Sequence, residues 1–167
     1  MSAIKKLNDV YRKAMVLGAA IGGGLLFYVL IVEVLKSQLK PVEPIPGEMS
    51  ADQSYLDILR LIFYIIAFAQ FAVLSFVRGI LLRTKASDTV DSLLEKLLRT
   101  TIVTLAICEV PALLGLVLFF VGRFYPDFYI LFAVSMAMLF FYFPRYNRWK
   151  EWIRNKAGAD WEVEGYR

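Results

Sequence analysis

A single carboxylate stands in the middle of an apolar run long enough to cross a lipid bilayer. The run, residues 100–122, reads TTIVTLAICEVPALLGLVLFFVG, and the carboxylate is Glu109. It lies ten positions after Arg99 and fourteen before Arg123, which puts it near the bilayer midplane. An ionised carboxylate at that depth costs about 2.5–3.5 kcal/mol on insertion scales, so it marks a candidate functional site. The remainder of the chain is what houses it.

Three other runs reach spanning length, at about residues 14–35, 55–82 and 128–143; 18 or more apolar residues with few charges read as a membrane helix. The second is long enough to tilt, and the fourth is short, so its aromatic ends must complete the span. With 59% of the 167 residues hydrophobic, the four runs leave no room for a soluble domain. The expected fold is all-α: a four-span antiparallel transmembrane helix bundle with cytoplasmic amphipathic flanks, one transmembrane domain over residues 1–167. The first run is longer than a secretory h-region and no small-x-small cleavage site follows it, so it reads as retained.

Lysine and arginine set the orientation. Lys5, Lys6, Arg12 and Lys13 precede the first span; Arg78, Arg83, Lys85, Lys96 and Arg99 flank the middle loop; Arg145, Arg148, Lys150, Arg154, Lys156 and Arg167 follow the last span. Those fifteen face Lys36, Lys40, Arg60 and Arg123 on the other side. The positive-inside rule then puts both termini in the cytoplasm of a multi-pass protein of the inner membrane. The net charge of +4 comes from this bias and is not a nucleic-acid footprint. There is no histidine and one cysteine, Cys108, so histidine-bound haem, zinc and copper, an internal disulfide and a Cys-x-x-Cys centre are all excluded. No cofactor is expected, and no Ser-His, metal or paired-carboxylate arrangement points to an enzyme.

The flanks carry their own patterns. Ile4, Leu7, Tyr11 and Met15 recur at helical spacing among basic residues, as in a helix lying on the membrane surface or in a solvated flank that only sets topology. The first loop, 36–54, holds Pro41, Pro44, Pro46 and Gly47 and reads as an irregular, mildly acidic connector. In the second, Ser87 or Asp88 offers an N-cap, and Val90, Leu93, Leu94, Leu97 and Leu98 repeat at helical spacing into the third span. Arg123 to Asp127, with Pro126, is a tight turn that makes spans three and four an antiparallel hairpin. After Pro144, the residues Tyr146, Trp149, Trp152 and Ile153 share a face; Trp149 and Trp152 read as headgroup anchors, with affinity for anionic lipid.

Three groups are expected near the depth of Glu109. Gln70 comes from span two and Ser135 from span four. Pro111 lacks an N–H, which frees the carbonyl of Ile107. A carboxylate, an amide oxygen, a hydroxyl and a free carbonyl together suit a small cation or a shared proton. The alternative is that Gln70 and Ser135 only bond backbone and Pro111 is a tolerated kink. On a helical wheel, Thr101, Thr104, Cys108, Pro111 and Gly115 form a small-residue seam for close packing, with Glu109 roughly 120° away among large apolar groups. It meets another helix of the bundle, a partner protein or lipid. Gly18 and Gly22 form a small-x-x-x-small pair that packs span one closely.

The segment from Ala106 to Leu118, with Glu109, Gly115, Leu116 and Val117, resembles the carboxylate helix of the proteolipid (c) subunits of rotary ATPases. By that resemblance Glu109 is the proton or sodium carrier, with Gln70 or Ser135 as co-ligands. The whole chain is similar to uncharacterised bacterial four-span membrane proteins with an aromatic Phe-Pro-Arg end, here Phe143, Pro144 and Arg145; for these no activity is implied. The expected function is proton or cation handling by a non-enzymatic membrane protein, surrounded by membrane lipids and working in a homo-oligomer or with a membrane-protein partner. The alternative is a structural or accessory subunit with no ion-carrying role.

Overall fold

In the computed structural model, which describes residues 3–38, 51–84 and 88–157, every element is helical. They are α1 (Ala3–Gln38), α2 (Ala51–Leu81), α3 (Val90–Gly122), α4 (Tyr125–Tyr142) and α5 (Tyr146–Ala157). The first four are long and apolar enough to cross a membrane, and the protein is a multi-pass integral membrane protein with a helix-bundle fold. The prolines of the expected connector fall in residues 39–50, outside the described residues, while its ends at 36–38 and 51–54 belong to α1 and α2.

Local chemistry sets the helix ends. Thr89, extended at φ −81° and ψ 163°, is the N-cap of α3, and its side chain accepts from the Ser92 N–H. The cap is therefore one residue later than the sequence suggests. At the other end Arg123 is left-handed, φ 53°, and its N–H closes on the Phe119 carbonyl at 2.9 Å. The ring of Phe124 folds back so tightly that a Cβ on Gly122 would sit 2.2 Å from it, which explains the glycine. Pro126 sits in the first turn of α4, where a missing N–H costs nothing.

Helix α3 is the hub. Of its apolar window 44% is buried, against 17% for α1 and α2. Its closest partner is α4: a Cβ on Gly115 would stand 3.1 Å from Leu131 Cβ and 3.2 Å from the Phe128 backbone. Helix α1 packs on one flank of this hairpin, through Leu25 against Leu105, Ala112 and Leu139, and Val32 against Phe119 and Phe128. Helix α2 packs on the other, through Ala67 against Leu118 and Leu131, and Leu74 against Cys108 and Met138. Gly18 lies under the Phe143 ring and Gly22 beside Leu139, so the pair packs span one onto the α4 end of the hairpin.

The flanks differ from expectation. At 36 residues, α1 is one helix of about 54 Å, well beyond an apolar core of about 30 Å. Its start is no separate surface helix: Leu7 and Ala14 are buried with Val90, Leu94 and Leu97 of α3 and Trp149 and Ile153 of α5. Trp149 is thus a core residue, edge-on to Tyr11 at 5.8 Å, and ties α5 to α1 in place of a headgroup contact. The physical reason is that the apolar stripes of α1, α3 and α5 emerge from the membrane at one end and cover one another.

Candidate functional site

Glu109 projects from the middle of α3 toward α1, where Tyr28 donates a 2.5 Å hydrogen bond to Glu109 Oε1. The helical repeat explains the meeting. Glu109 shares the α1-facing side of α3 with Leu105 and Ala112, which lie one turn below and one above it; Tyr28 lies one turn beyond Leu25, which packs on that same pair. The carboxyl is half-buried, at the edge where α1 gives way to the exposed face bearing Leu113, Val117 and Phe120. Of the three surroundings open from sequence, another helix of the bundle is the one found, with the apolar exterior beside it.

The other sequence candidates do not gather around it. Leu118, which packs on α2, lies nine positions from Glu109, about 180° around α3. Gln70 sits on that far side, between Ala67 and Leu74 on α2, and the side chain of Ile107, whose carbonyl was the candidate ligand, packs with Leu74 there. Gln70 is 8% exposed and its Oε1 has no partner. Ser135, fully buried on α4, accepts from the Ala112 N–H at 2.8 Å. Its hydroxyl therefore serves the backbone beside Pro111, where the proline opens the helix. Gln70 thus lies across α3 from Glu109, while the Ser135 hydroxyl is engaged by the backbone one turn from it.

Two contacts escaped the sequence reading. Glu33 of α1 accepts from the Tyr129 hydroxyl of α4, with Lys36 3.9 Å from the same carboxylate. Asp127, 2% exposed in the first turn of α4, accepts from Arg60 at 2.9 Å and from Tyr64 at 2.7 Å, while the Arg60 guanidinium lies 4.8 Å from the Phe124 ring. The helix N-terminus adds its positive end to this arrangement. Tyrosines in apolar runs read as core, so neither was visible from spacing. One signal was available for the second: Arg60 interrupts an apolar helix, and a charge inside an apolar span calls for a partner of opposite sign. Among the described residues no group of three or more Cys, Asp or Glu side chains is arranged to hold a metal.

The site thus comprises one carboxyl and one phenol joined across the α1–α3 seam, at the rim of an apolar exterior. The chain matches no protein-family model, no curated protein and no solved structure, so its own geometry is what bears on function.

Proposed function

We propose that the protein is a non-enzymatic membrane protein that takes up and releases a proton at Glu109, within a homo-oligomer or a larger membrane complex. The observation that carries this reading is the 2.5 Å bond from Tyr28 to a half-buried carboxyl inside an apolar run. A hard metal cation asks for about six oxygen ligands, but Gln70 lies on the far side of α3 and the Ser135 hydroxyl accepts from the Ala112 N–H. A proton asks for far less. A phenol donates to an ionised carboxylate and accepts from a protonated one, so Tyr28 stays bonded in both states and neither leaves an orphan polar group. Glu33 and Tyr129 make a second carboxyl–phenol pair five residues further along α1, roughly 7.5 Å away along the axis. That supplies a polar step between the bundle end and Glu109. The resemblance of residues 106–118 to the proteolipid carboxylate helix supports the same reading. The lysine and arginine bias supports cytoplasmic termini in the inner membrane.

A second reading is favoured by the same bond: it joins α1 to α3 within one chain, as a latch in an accessory subunit would. Proton movement into reconstituted vesicles under an imposed pH gradient separates the two. Under the proton reading, Glu109→Gln folds and assembles normally but abolishes flux, and Tyr28→Phe slows it about tenfold, the worth of roughly one hydrogen bond to a charged group. Flux in Glu109→Gln equal to the wild type, with lost stability in Glu109→Leu and Tyr28→Phe, leaves the latch. Wild-type vesicles no leakier to protons than protein-free ones sink the proton reading.

A further inference from the structure

A second polar site lies toward the end of the bundle where α1 begins and α5 packs. There α2, α3 and the corner between α4 and α5 enclose a cavity of about 140 Å³. Arg78, Arg145 and Arg148 line it, and no aspartate or glutamate does. Among the described residues none of the three makes an ion pair or a side-chain hydrogen bond. Arg78 instead lies over the Tyr142 ring, 5.0 Å from its centroid. That contact fixes the guanidinium and leaves its N–H donors unspent.

The cavity wall on α3 carries Thr100 and Thr104, one turn apart and 4% and 2% exposed. A helical threonine ordinarily returns its hydroxyl to the carbonyl four residues back. Neither of these does: both Oγ1 atoms are buried without a hydrogen-bond partner. Three cations around one small space with no counter-charge, and two unsatisfied hydroxyls buried in the residues of its wall, suit a phosphate group.

We propose that this cavity binds the headgroup phosphate of an anionic membrane lipid. Free phosphate shares that chemistry, but the rim argues for a lipid. Phe141, 64% exposed, and half-buried Trp152 border the opening, at the level where α2 and α4 end. Apolar lips at that depth seat a glycerol and the start of an acyl chain, and a lone anion gains nothing from them. Basic pockets between helix ends are suited to such headgroups. This inference is independent of the role of Glu109.

The test is lipid binding to the delipidated full chain in neutral detergent, read by native mass spectrometry and by the rise in Tm on adding ligand. Phosphatidylglycerol is expected to give a one-to-one adduct and a Tm rise, and phosphatidylcholine neither. Arg78→Gln weakens phosphatidylglycerol binding about tenfold, the loss of one charge-assisted contact. The Thr100→Val, Thr104→Val pair weakens it severalfold with no change in net charge, and without lipid unfolds no earlier than the wild type. Arg148→Gln, at an exposed position, shows the same loss with no risk to folding, whereas Arg154→Gln, exposed and outside the cavity, changes nothing. Equal binding of the two lipids overturns the proposal. So does wild-type affinity in the Arg78, Arg148 and threonine variants alike, which would mean diffuse surface charge. Inorganic phosphate matching phosphatidylglycerol at equal concentration would make this a free-anion site and overturns the lipid assignment.

Discussion

Asp127 and Arg60 are joined by a 2.9 Å ion pair, yet they do not stand in equal need of it: the Asp127 side chain is 3% exposed and that of Arg60 is 37% exposed. Deleting either partner therefore has unequal consequences. In Asp127→Ala, Arg60 turns to water and to Asp57, already 3.4 Å away, and the loss is about 1–2 kcal/mol. In Arg60→Met a carboxylate is left buried with only Tyr64 as donor, and the loss is about 3–5 kcal/mol. Denaturant titration in detergent checks this order, and a larger loss for Asp127→Ala would mean that the pair is not what holds α2 to α4. The same asymmetry explains what was legible at this scale. Glu109 was visible because a charge in an apolar run is conspicuous whatever surrounds it. Tyr28 was not, because a phenol among aliphatic residues carries no mark of whether its hydroxyl is used. Gln70 and Ser135 were chosen by depth alone, and depth fixes only one coordinate. The angle around α3 decides partners, and it follows from which helices flank the hairpin.

At the scale of elements, length and apolar composition were enough to locate the four spans, and the hairpin of α3 and α4 followed from a short turn with Pro126. The ends were harder. An amphipathic stripe states that one face of a helix is covered, not whether lipid or protein covers it, so residues 4–15 and 146–153 read equally well as surface helices. In the structure both are covered by protein, with Leu7 and Ile153 fully buried in a shared cluster. Helix α1 consequently runs without a joint from Ala3 to Gln38. That continuity has a mechanical consequence. Lys13 is exposed and contributes no buried contact, but its backbone lies inside the helix. A proline there removes one hydrogen bond and clashes with the preceding turn, at about 3 kcal/mol or more. Lys13→Pro is expected to lower thermal stability by that amount and to expose Trp149 to quenching, while Lys13→Ala does neither. A surface helix hinged to the first span would accept the proline, so a silent Lys13→Pro would contradict the continuous α1.

At the scale of the whole molecule, the two outer helices share the hairpin and little else, which leaves α2 exposing Ile58, Leu61, Ile65, Phe68 and Phe76 along its length. In water such a surface would aggregate; in a bilayer it is solvated by acyl chains, and burying it is no longer what holds the bundle together. Packing of small residues and a few polar contacts must do more of the holding. Gly115 against the α4 backbone and Ser135 against Ala112 are where that occurs. The same reasoning makes orientation a matter of the ends alone. The buried cluster of Leu7, Val90 and Ile153 places the first residues of α1, the start of α3 and α5 at one end, and the basic flanks gather there. The orientation proposed from the positive-inside rule puts that end in the cytoplasm. Cys108, the single cysteine, is fully buried and stays silent to an impermeant thiol reagent, so single introduced cysteines report cleanly. Ser37, at the end of α1, uses its hydroxyl only on its own helix, 2.7 Å from the Val34 carbonyl, and is expendable. Ser37→Cys is expected to label in intact cells, and Asn155→Cys, exposed on α5, only after permeabilisation. Labelling of Asn155→Cys alone in intact cells would invert the protein. The phosphate cavity would then face outward and the Glu33–Tyr129 pair inward, so any proton reaching Glu109 through that pair would have to start from the cytoplasm.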